Sequence, residues 1–367
     1  MAEGPPSPQR LLRPEVLALA AYSVQDSSGC IKLDAMENPY PWPGELTEGW
    51  LDSLRGVQAN RYPDAEAKAL KASLRAALQV PEGAALLLGN GSDELIQLLT
   101  MAVAKPGCTV LAPEPTFVMY RQVASFLGVR YRAVPLTADF ALDGPAMLAA
   151  LREYLPAVLW IAYPNNPSGN LFSRELLLAL LDSAPGLVVM DEAYHPFAGE
   201  SFLPQVLDHP NLLVMRTLSK AGLAGLRLGL LVGHPRWLEQ LEKLRLPYNV
   251  SVLTQLSAGF ALAHLERMSA QAAVIRSERE RLCAGLARLP GVRPYPSAAN
   301  FVLFQVSSPV AAVVFEGLRE RGVLIKLMQG PGLTGCLRVT VGTPAENARF
   351  LAALHEVCGA APRLPGG

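Results

Sequence analysis

Lys220 stands in a stretch whose residue types could hold a phosphorylated aldehyde. The stretch from Arg216 to Arg227 is apolar and rich in glycine, with Ser219 directly before the lysine. A lysine amine becomes a nucleophile when burial or cationic neighbours lower its pKa, and Ser219 with Arg227 could bind a phosphate beside it. The combination indicates a Schiff base with pyridoxal 5′-phosphate (PLP). A surface lysine beside a glycine-rich turn would give the same local sequence.

Other residues match the remaining requirements of PLP chemistry. Asp191 follows the apolar run 188–190 and could keep the ring nitrogen protonated, which makes the ring an electron sink. Asn166 and Tyr194 could donate hydrogen bonds to the ring 3-oxygen. Asn166 lies in a Pro-Asn-Asn-Pro-Ser-Gly string that must turn sharply after a buried strand. For Asp191 alone, an acid that caps a turn at the end of a strand is the commoner explanation.

Two further groups could contact the cofactor. A helix is predicted to start near Gly91, Ser92 and Asp93, where free backbone N–H groups could bind a phosphate. Most helix starts of this kind are caps that bind no anion. Tyr120 could stack on the open face of the ring, although taken alone it fits a core aromatic of a helix.

The elements around these residues predict an α/β fold. Apolar strands alternate with amphipathic helices, which implies a mostly parallel central sheet flanked by helices. The predicted strands are 109–112, 129–134, 157–163, 187–190, 212–215 and 228–232. Ligands of such sheets bind at the carboxyl ends of strands. We therefore expect Asn166, Asp191 and Lys220 on one rim.

The remainder of the chain predicts a second, smaller unit. Residues 1–45 are interpreted as an N-terminal arm packing on the small domain, 46–245 as the large PLP-binding domain and 246–367 as a small α+β domain. A long helical region is expected over 251–289. Its charged positions, which include Glu278 and Arg279, are interpreted as a solvent-facing surface.

Composition argues for small-molecule chemistry. Half of the 367 residues are apolar, 17% are charged and the formal net charge is zero, so the basic surface of a nucleic-acid binder is not expected. The five cysteines are widely spaced without a CxxC pair, which argues against a metal site or disulfide framework and fits a reducing compartment. Without a membrane-length apolar run or a secretory core, we expect no membrane association and a cytoplasmic protein.

The order and spacing of three motifs resemble a known enzyme family. These are the Asn166 string at 164–169, the Asp-Glu-Ala-Tyr sequence at 191–194, and Ser219-Lys220 with Arg227. Together they resemble fold-type-I PLP aminotransferases of the class I/II group, and within it the histidinol-phosphate aminotransferases. The resemblance implies a large domain with a mostly parallel sheet, a smaller α+β domain, PLP as cofactor and a homodimer.

The resemblance also implies roles for further residues. The family position matching Tyr62 reaches across the dimer to the neighbour's cofactor phosphate. The positions matching the substrate site are Tyr22, Asn38, Asn300, Lys326 and Arg338. Arg338 is expected to face the anionic end of the substrate, since its guanidinium can pair with a phosphate or a carboxylate. Lys326 stands where relatives often have arginine. A lysine can attract a phosphate as a point charge, but it cannot pair with it through two parallel hydrogen bonds as an arginine does.

The implied reaction is transamination of L-histidinol phosphate with 2-oxoglutarate, giving imidazole-acetol phosphate and L-glutamate. Lys220 would bind the cofactor and then carry a proton to and from the substrate. Three alternatives stay open at this point. They are another class I/II aminotransferase acting on aromatic or branched-chain amino acids, a threonine-phosphate decarboxylase, and a catalytically inactive regulatory module.

Overall fold

The computed structural model describes residues 7–21, 25–306 and 310–360. Within these ranges the helices are α1 Pro8–Leu11, α2 Pro14–Leu17, α3 Gly44–Leu54, α4 Lys68–Ala77, α5 Gly91–Val103, α6 Val118–Phe126, α7 Gly144–Tyr154, α8 Arg174–Ser183, α9 His195–Ala198, α10 Pro235–Glu242, α11 Val252–Ala263, α12 Leu265–Ala287, α13 Val310–Glu320 and α14 Pro344–Ala360. The strands are β1 Ile31–Lys32, β2 Ala85–Asn90, β3 Thr109–Glu114, β4 Arg130–Pro135, β5 Val158–Ala162, β6 Leu187–Asp191, β7 Leu212–Thr217, β8 Leu228–Gly233, β9 Val292–Pro294, β10 Phe301–Val306, β11 Val323–Leu324, β12 Lys326–Leu327 and β13 Cys336–Thr340. None of the helices in these ranges has the length and apolar character needed to cross a membrane.

The larger sheet confirms the predicted α/β architecture. In the described part of the chain it has seven strands, in the order β2-β8-β7-β6-β5-β3-β4. Strands β3 to β7 pair in parallel, whereas β8 is antiparallel to both β7 and β2. Strand β2 was not predicted, because a short apolar run after Pro81 and Gly83 fits a strand or a buried helix equally well.

Both faces of this sheet are buried. In β6, Val188 and Met190 belong to one hydrophobic cluster, while Leu187 and Val189 belong to a second cluster on the other face. Successive side chains of a strand point to opposite faces, so the alternation assigns each residue to a layer. Burying each such side chain stabilises the fold by roughly 1.5–3 kcal/mol. The same alternation puts Asp191 on the face of Val189.

The strand directions bring five chain segments to one edge of the sheet. The parallel strands β5, β6 and β7 end there, just before Asn166, at Asp191 and just before Lys220. Strand β8 runs the other way and therefore begins at that edge, directly after Arg227. Strand β2 is antiparallel to β8, so it ends at the same edge, before Gly91. The predicted common rim is confirmed.

The smaller unit is built on three antiparallel strand pairings. Strand β10 pairs with β9 and β13, and β13 pairs with β12. A separate parallel pair joins β1 to β11, with Ile31 opposite Val323. Helices α12, α13 and α14 cover these strands around buried Phe301, Phe304 and Phe350. This arrangement confirms a smaller α+β unit.

The hydrophobic clusters divide at a different point from the predicted boundary near residue 245. Val250, Ala258 and Met268 pack in the core of the large sheet, whereas Ala272 and the residues after it pack in the core of the small sheet. The division therefore lies inside α12. A helix that continues unbroken through two cores shows no composition change at the boundary, so the sequence did not reveal it.

The N-terminal arm also differs from the prediction. The segment that begins at β1 joins the smaller unit: β1 pairs with β11, and Leu33 and Met36 pack in its core. Helices α1 and α2 precede it, and α2 packs on α6 of the large unit, where Arg13 donates to the carbonyl of Phe126. The expectation that the whole arm packs on the small domain is therefore wrong for α2, which lies against α6 of the large unit.

The charged positions of α12 are not all solvent-facing. Glu278 and Arg279 are 4% and 9% exposed. The Glu278 carboxylate accepts hydrogen bonds from Arg281 at 2.6 Å and from Asn347 of α14 at 3.2 Å. Arg279 donates to the carbonyl of Ala299 at 3.1 Å. The interpretation as a solvated surface is wrong here, because α14 and β10 cover that side of the helix.

Candidate active site

A cavity of about 110 Å³ lies at the edge where these strands end. The residues that line it include eight that the sequence singled out: Ser92, Asp93, Asn166, Asp191, Tyr194, Ser219, Lys220 and Arg227. They come from four separate regions of the chain. Their convergence on one cavity is what an enclosed small-molecule site requires.

Lys220 has the properties of a nucleophilic amine. It lies in a 3₁₀ turn, Ser219–Ala221, directly after β7, and its Nζ donates to the carbonyl of Ala35 at 3.2 Å. Burial, followed by the positive charge of Arg338, lowers the pKa of Lys220 from 10.5 to about 8. The amine therefore loses its proton more readily than an ordinary lysine.

Asn38 supports the turn that carries Lys220. Its Nδ2 donates to the carbonyl of Ala221 at 3.4 Å and to Gln271 at 3.0 Å. Gly222 follows with φ +109°, and a Cβ there would lie 3.0 Å from Asn38 Nδ2. A glycine is thus required both by the backbone conformation and by the close approach. Asn38 is not among the residues that line the cavity.

Asp191 lines the cavity at the end of β6, and two hydrogen bonds from within the protein fix its carboxylate. Its Oδ2 accepts a hydrogen bond from the hydroxyl of Tyr120 at 2.6 Å, and its Oδ1 accepts one from the backbone N–H of Ala193 at 3.1 Å. Burial raises the pKa of Asp191 to about 6, against the opposite effect of these hydrogen bonds. Above that pH the carboxylate is ionised.

The predicted stacking role of Tyr120 is wrong. Tyr120 is fully buried, and its ring stacks on Trp160 with the centroids 5.0 Å apart. Its position in the helix directs the ring beneath Asp191 and away from the cavity. Phe117, three residues earlier, lines the cavity instead. The sequence signal for Phe117 was its position just after the end of β3, which places it on the rim.

A hydrogen-bonded chain links the two units across the cavity. Asn166 Nδ2 donates to the hydroxyl of Tyr194 at 3.1 Å, and Arg338 Nη1 donates to Asn166 Oδ1 at 2.6 Å. Arg338 comes from β13 of the smaller unit and also donates to the carbonyl of Asp34 at 3.0 Å. The asparagine and tyrosine can present polar atoms to a ring oxygen, and the guanidinium adds positive charge beside them.

The opposite end of the cavity fits a phosphate. The first turn of α5 carries Ser92, and Ser219 and Arg227 approach from the other side. A Cβ on Gly229 would lie 2.5 Å from the carbonyl carbon of Gly91, and one on Gly91 would lie 2.6 Å from Arg227 Nη2. Glycines alone allow this approach. Helix N–H groups, hydroxyls and a guanidinium form a suitable donor set. With Lys220 and Asp191, the site fits a phosphorylated pyridine aldehyde.

The remaining predicted residues lie outside the cavity lining. Tyr62 is 80% exposed and stacks on Tyr248 at 4.4 Å. Asn300 is fully buried and donates to the carbonyl of Met36, a cavity residue, at 2.9 Å. Lys326 is directly opposite Arg338 in the β12–β13 pair. Tyr22 lies outside the described residues.

Known proteins similar to this chain indicate one enzyme family. The family model of class I and II aminotransferases matches residues 28–354. Histidinol-phosphate aminotransferase 2 of Nitrosococcus oceani is 57% identical over 345 residues, which cover 94% of this chain and 96% of that protein. Histidinol-phosphate aminotransferase of Chromobacterium violaceum is 52% identical over 350 residues, covering 95% and 98%.

A solved structure is also similar. Histidinol-phosphate aminotransferase from Sinorhizobium meliloti, in complex with pyridoxal 5′-phosphate, superposes with a TM-score of 0.86 at 25% identity and covers 95% of this chain and 98% of that one. Full-length agreement in sequence and fold, with the lysine, aspartate and phosphate-binding residues around one cavity, leads to one conclusion. The chain belongs to the class I and II aminotransferase family, and within it to the histidinol-phosphate aminotransferases.

Proposed function

We propose that the protein uses PLP to transfer the amino group of L-histidinol phosphate to 2-oxoglutarate, giving imidazole-acetol phosphate and L-glutamate. The observation that carries the proposal is the single cavity that joins Lys220, Asp191 and the phosphate-binding end. Relatives that are 57% and 52% identical over nearly the whole chain carry that name. The substrates are therefore a small phosphorylated amine and a 2-oxo acid.

The chemistry divides between the cofactor and the chain. When bound, PLP supplies an electron sink that stabilises negative charge at the substrate Cα. We assign the proton transfers to Lys220 Nζ, which acts as a base towards the substrate Cα and afterwards returns the proton as an acid. Its pKa of about 8 suits both directions near neutral pH. Phe117 and Ala162 line the same cavity and limit the access of water.

Asp191 and Tyr120 act as a pair in this proposal. The Asp191 carboxylate holds a proton at the cofactor ring nitrogen, which requires that the carboxylate stay ionised. Burial opposes ionisation, and the 2.6 Å hydrogen bond from Tyr120 lowers the pKa of Asp191 and so favours the charged form. Tyr120 is therefore a positioning residue behind Asp191.

Arg338 and Lys326 are proposed to bind the anionic end of the substrate. Residues directly opposite each other in an antiparallel pair project from the same face, so Lys326 lies on the face that carries Arg338. A phosphate monoester carries up to two negative charges near neutral pH, and two cations can balance them. Buried Asn300 Oδ1 has no hydrogen-bond partner among the described residues and can accept from a substrate donor.

We propose that the active form is a homodimer in which Tyr62 contacts the cofactor phosphate of the partner. Its exposed ring stacks on Tyr248 and is not part of the lining of its own cavity. Mixing Tyr62→Ala protein with Lys220→Ala protein should then restore activity, because a mixed dimer has one site with both residues intact. A mixture no more active than its two components would contradict the shared site.

We propose the cytoplasm as the location of the protein. All five cysteines are free thiols, and three of them are only partly buried. Partly accessible thiols persist most readily in a reducing compartment. Fractionation of the native host followed by immunodetection would test this, and recovery from the periplasmic or extracellular fraction would contradict it.

Replacing Tyr120 with phenylalanine should weaken PLP binding. The change removes the hydrogen bond to Asp191 and leaves the stacking on Trp160, so the pKa of Asp191 rises further and its hold on a protonated ring nitrogen weakens. We expect the dissociation constant of PLP to increase about tenfold to a hundredfold, measured by spectrophotometric titration of the cofactor-free protein.

Tyr295→Phe is the matched control for this variant. Tyr295 is a buried tyrosine of another cluster, and its hydroxyl donates to the neutral side chain of Gln305 at 3.2 Å. Its removal should leave PLP affinity within about twofold of wild type. Equal affinities of wild type and Tyr120→Phe would show that Tyr120 does not support Asp191.

A panel of amine donors tests the reaction itself. With 2-oxoglutarate as acceptor, we expect kcat/KM for L-histidinol phosphate to exceed that for L-phenylalanine by at least about tenfold, because Arg338 and Lys326 would gain a phosphate partner. L-threonine O-3-phosphate should release no carbon dioxide. Lys220→Ala, as the negative control, should lose turnover and the visible absorbance of bound cofactor.

A higher kcat/KM for phenylalanine, or carbon dioxide released from threonine phosphate, would overturn the substrate assignment. Full activity of Lys220→Ala would overturn the mechanism.

A further inference from the structure

A second cavity, of about 630 Å³, lies below the turn that carries Lys220. Thr217 is the one residue that lines both this cavity and the candidate active site in the described part of the chain. Arg216 precedes Thr217 in β7, so the two side chains point to opposite faces of the sheet. The second cavity is therefore a separate site on the other face.

The walls of this cavity are largely apolar. They come from the end of α4, the segment after β6, the lysine turn and the first turns of α12, and include Leu78, Leu203, Leu218, Leu265 and Met268. Small-molecule sites commonly enclose about 300–1,000 Å³ with mostly apolar walls and a few polar groups that orient the ligand. The volume and lining of this cavity fall in that class.

Arg216 supplies a polar group that is not fully used. It is 5% exposed. Its Nε donates to Glu192 at 2.9 Å. Its Nη2 lies 2.8 Å from the same carboxylate and donates to Ser201 at 2.7 Å, whereas Nη1 has no hydrogen-bond partner among the described residues. Because Arg216 lines the cavity, a ligand there can supply the missing acceptor.

The carboxylate of Glu192 already has hydrogen-bond partners within the protein, so it does not attract a cationic ligand. Its carboxylate accepts hydrogen bonds from Arg216, from the hydroxyl of Ser201 at 2.8 Å and from the backbone N–H of Phe202 at 2.6 Å. The positive charge of Arg216 still reaches the cavity, since burial and this charge together lower the pKa of His195 to about 4. His195 is therefore neutral at physiological pH.

The charges at the rim are mixed. Arg276 is exposed and donates to the carbonyl of Pro196 at 2.9 Å, while the carboxylate of Glu200 accepts from the hydroxyl of Tyr163 at 2.7 Å. One cation and one anion balance each other there. Inside the cavity the charge of Arg216 is compensated by Glu192 at 2.8 Å, so the free Nη1 of Arg216 is the group that offers a ligand a charge-assisted hydrogen bond.

We propose that this cavity binds a small organic monocarboxylate with an apolar body. The carboxylate accepts from Arg216 Nη1, and the apolar body packs against Leu218 and Met268. The ligand would lie between the lysine turn and α12, the helix that passes from one hydrophobic core into the other. The site is distinct from the one that binds the amine and 2-oxo acid.

Calorimetric titration of the PLP-loaded protein with indole-3-propionate tests the proposal. We expect binding that is at least about tenfold tighter than that of the neutral indole-3-propionamide, because the hydrogen bond from Arg216 to a carboxylate is stronger than the one to a neutral amide oxygen. Ser269→Trp on α12 should fill the cavity and weaken binding at least about tenfold. The control Ala270→Trp, at an exposed position of the same helix outside the lining, should bind as wild type does.

Two arginine variants separate the sites. Arg216→Lys keeps a cation beside Glu192 but loses the forked donors, so it should also weaken binding. If that variant does not fold, Ser269→Trp still tests whether the ligand binds in this cavity. Arg338→Gln should leave binding unchanged, because Arg338 bonds Asn166 at the candidate active site and does not line the second cavity. Absence of binding to the wild type, equal affinity for acid and amide, unaltered binding by Ser269→Trp, or loss of binding in Arg338→Gln would each overturn the proposal.

Discussion

The removal of water from two charged side chains at one edge of the large sheet is the constraint on which the rest of the structure depends. Lys220 and Asp191 lie at the ends of neighbouring apolar strands, and burial shifts the pKa of each towards its neutral form. Leaving buried charges unsupported would destabilise the fold. The surrounding hydrogen bonds, from Tyr120 to Asp191 and from Lys220 to the carbonyl of Ala35, offset part of that cost. The part of the desolvation cost that is not offset lowers the pKa of Lys220 and so makes its amine reactive.

The fold meets this constraint through strand direction. Three parallel strands deliver Asn166, Asp191 and Lys220 to one edge, and an antiparallel pair delivers Gly91 and Arg227 to the same place. The smaller unit then covers the edge with Arg338, which bonds Asn166 directly. We therefore propose that the cofactor lies in the cavity and that the substrate anion lies beside it, towards Arg338 of the smaller unit.

Much of the site could be predicted because its residues follow apolar strands. A strand end is a local signal, and parallel strands place their ends together. The roles of Phe117 and Tyr120 could not be separated in this way. They are three residues apart, Phe117 just before α6 and Tyr120 in its first turn, and whether a ring faces the cavity or lies beneath Asp191 depends on how the helix packs on Trp160. The division inside α12 and the spare donor of Arg216 likewise depend on tertiary contacts between distant segments.

The state of the Lys220 amine tests the account most directly. In the cofactor-free protein, the pH dependence of reductive methylation of Lys220 can be followed by peptide mass spectrometry, with exposed Lys105 as an internal reference for the reagent. The amine reacts only when neutral, so its rate should rise with pH and level off around a midpoint near 8. A rate that keeps rising towards the ordinary lysine value of 10.5 would contradict the central claim that burial and Arg338 prepare this amine for catalysis.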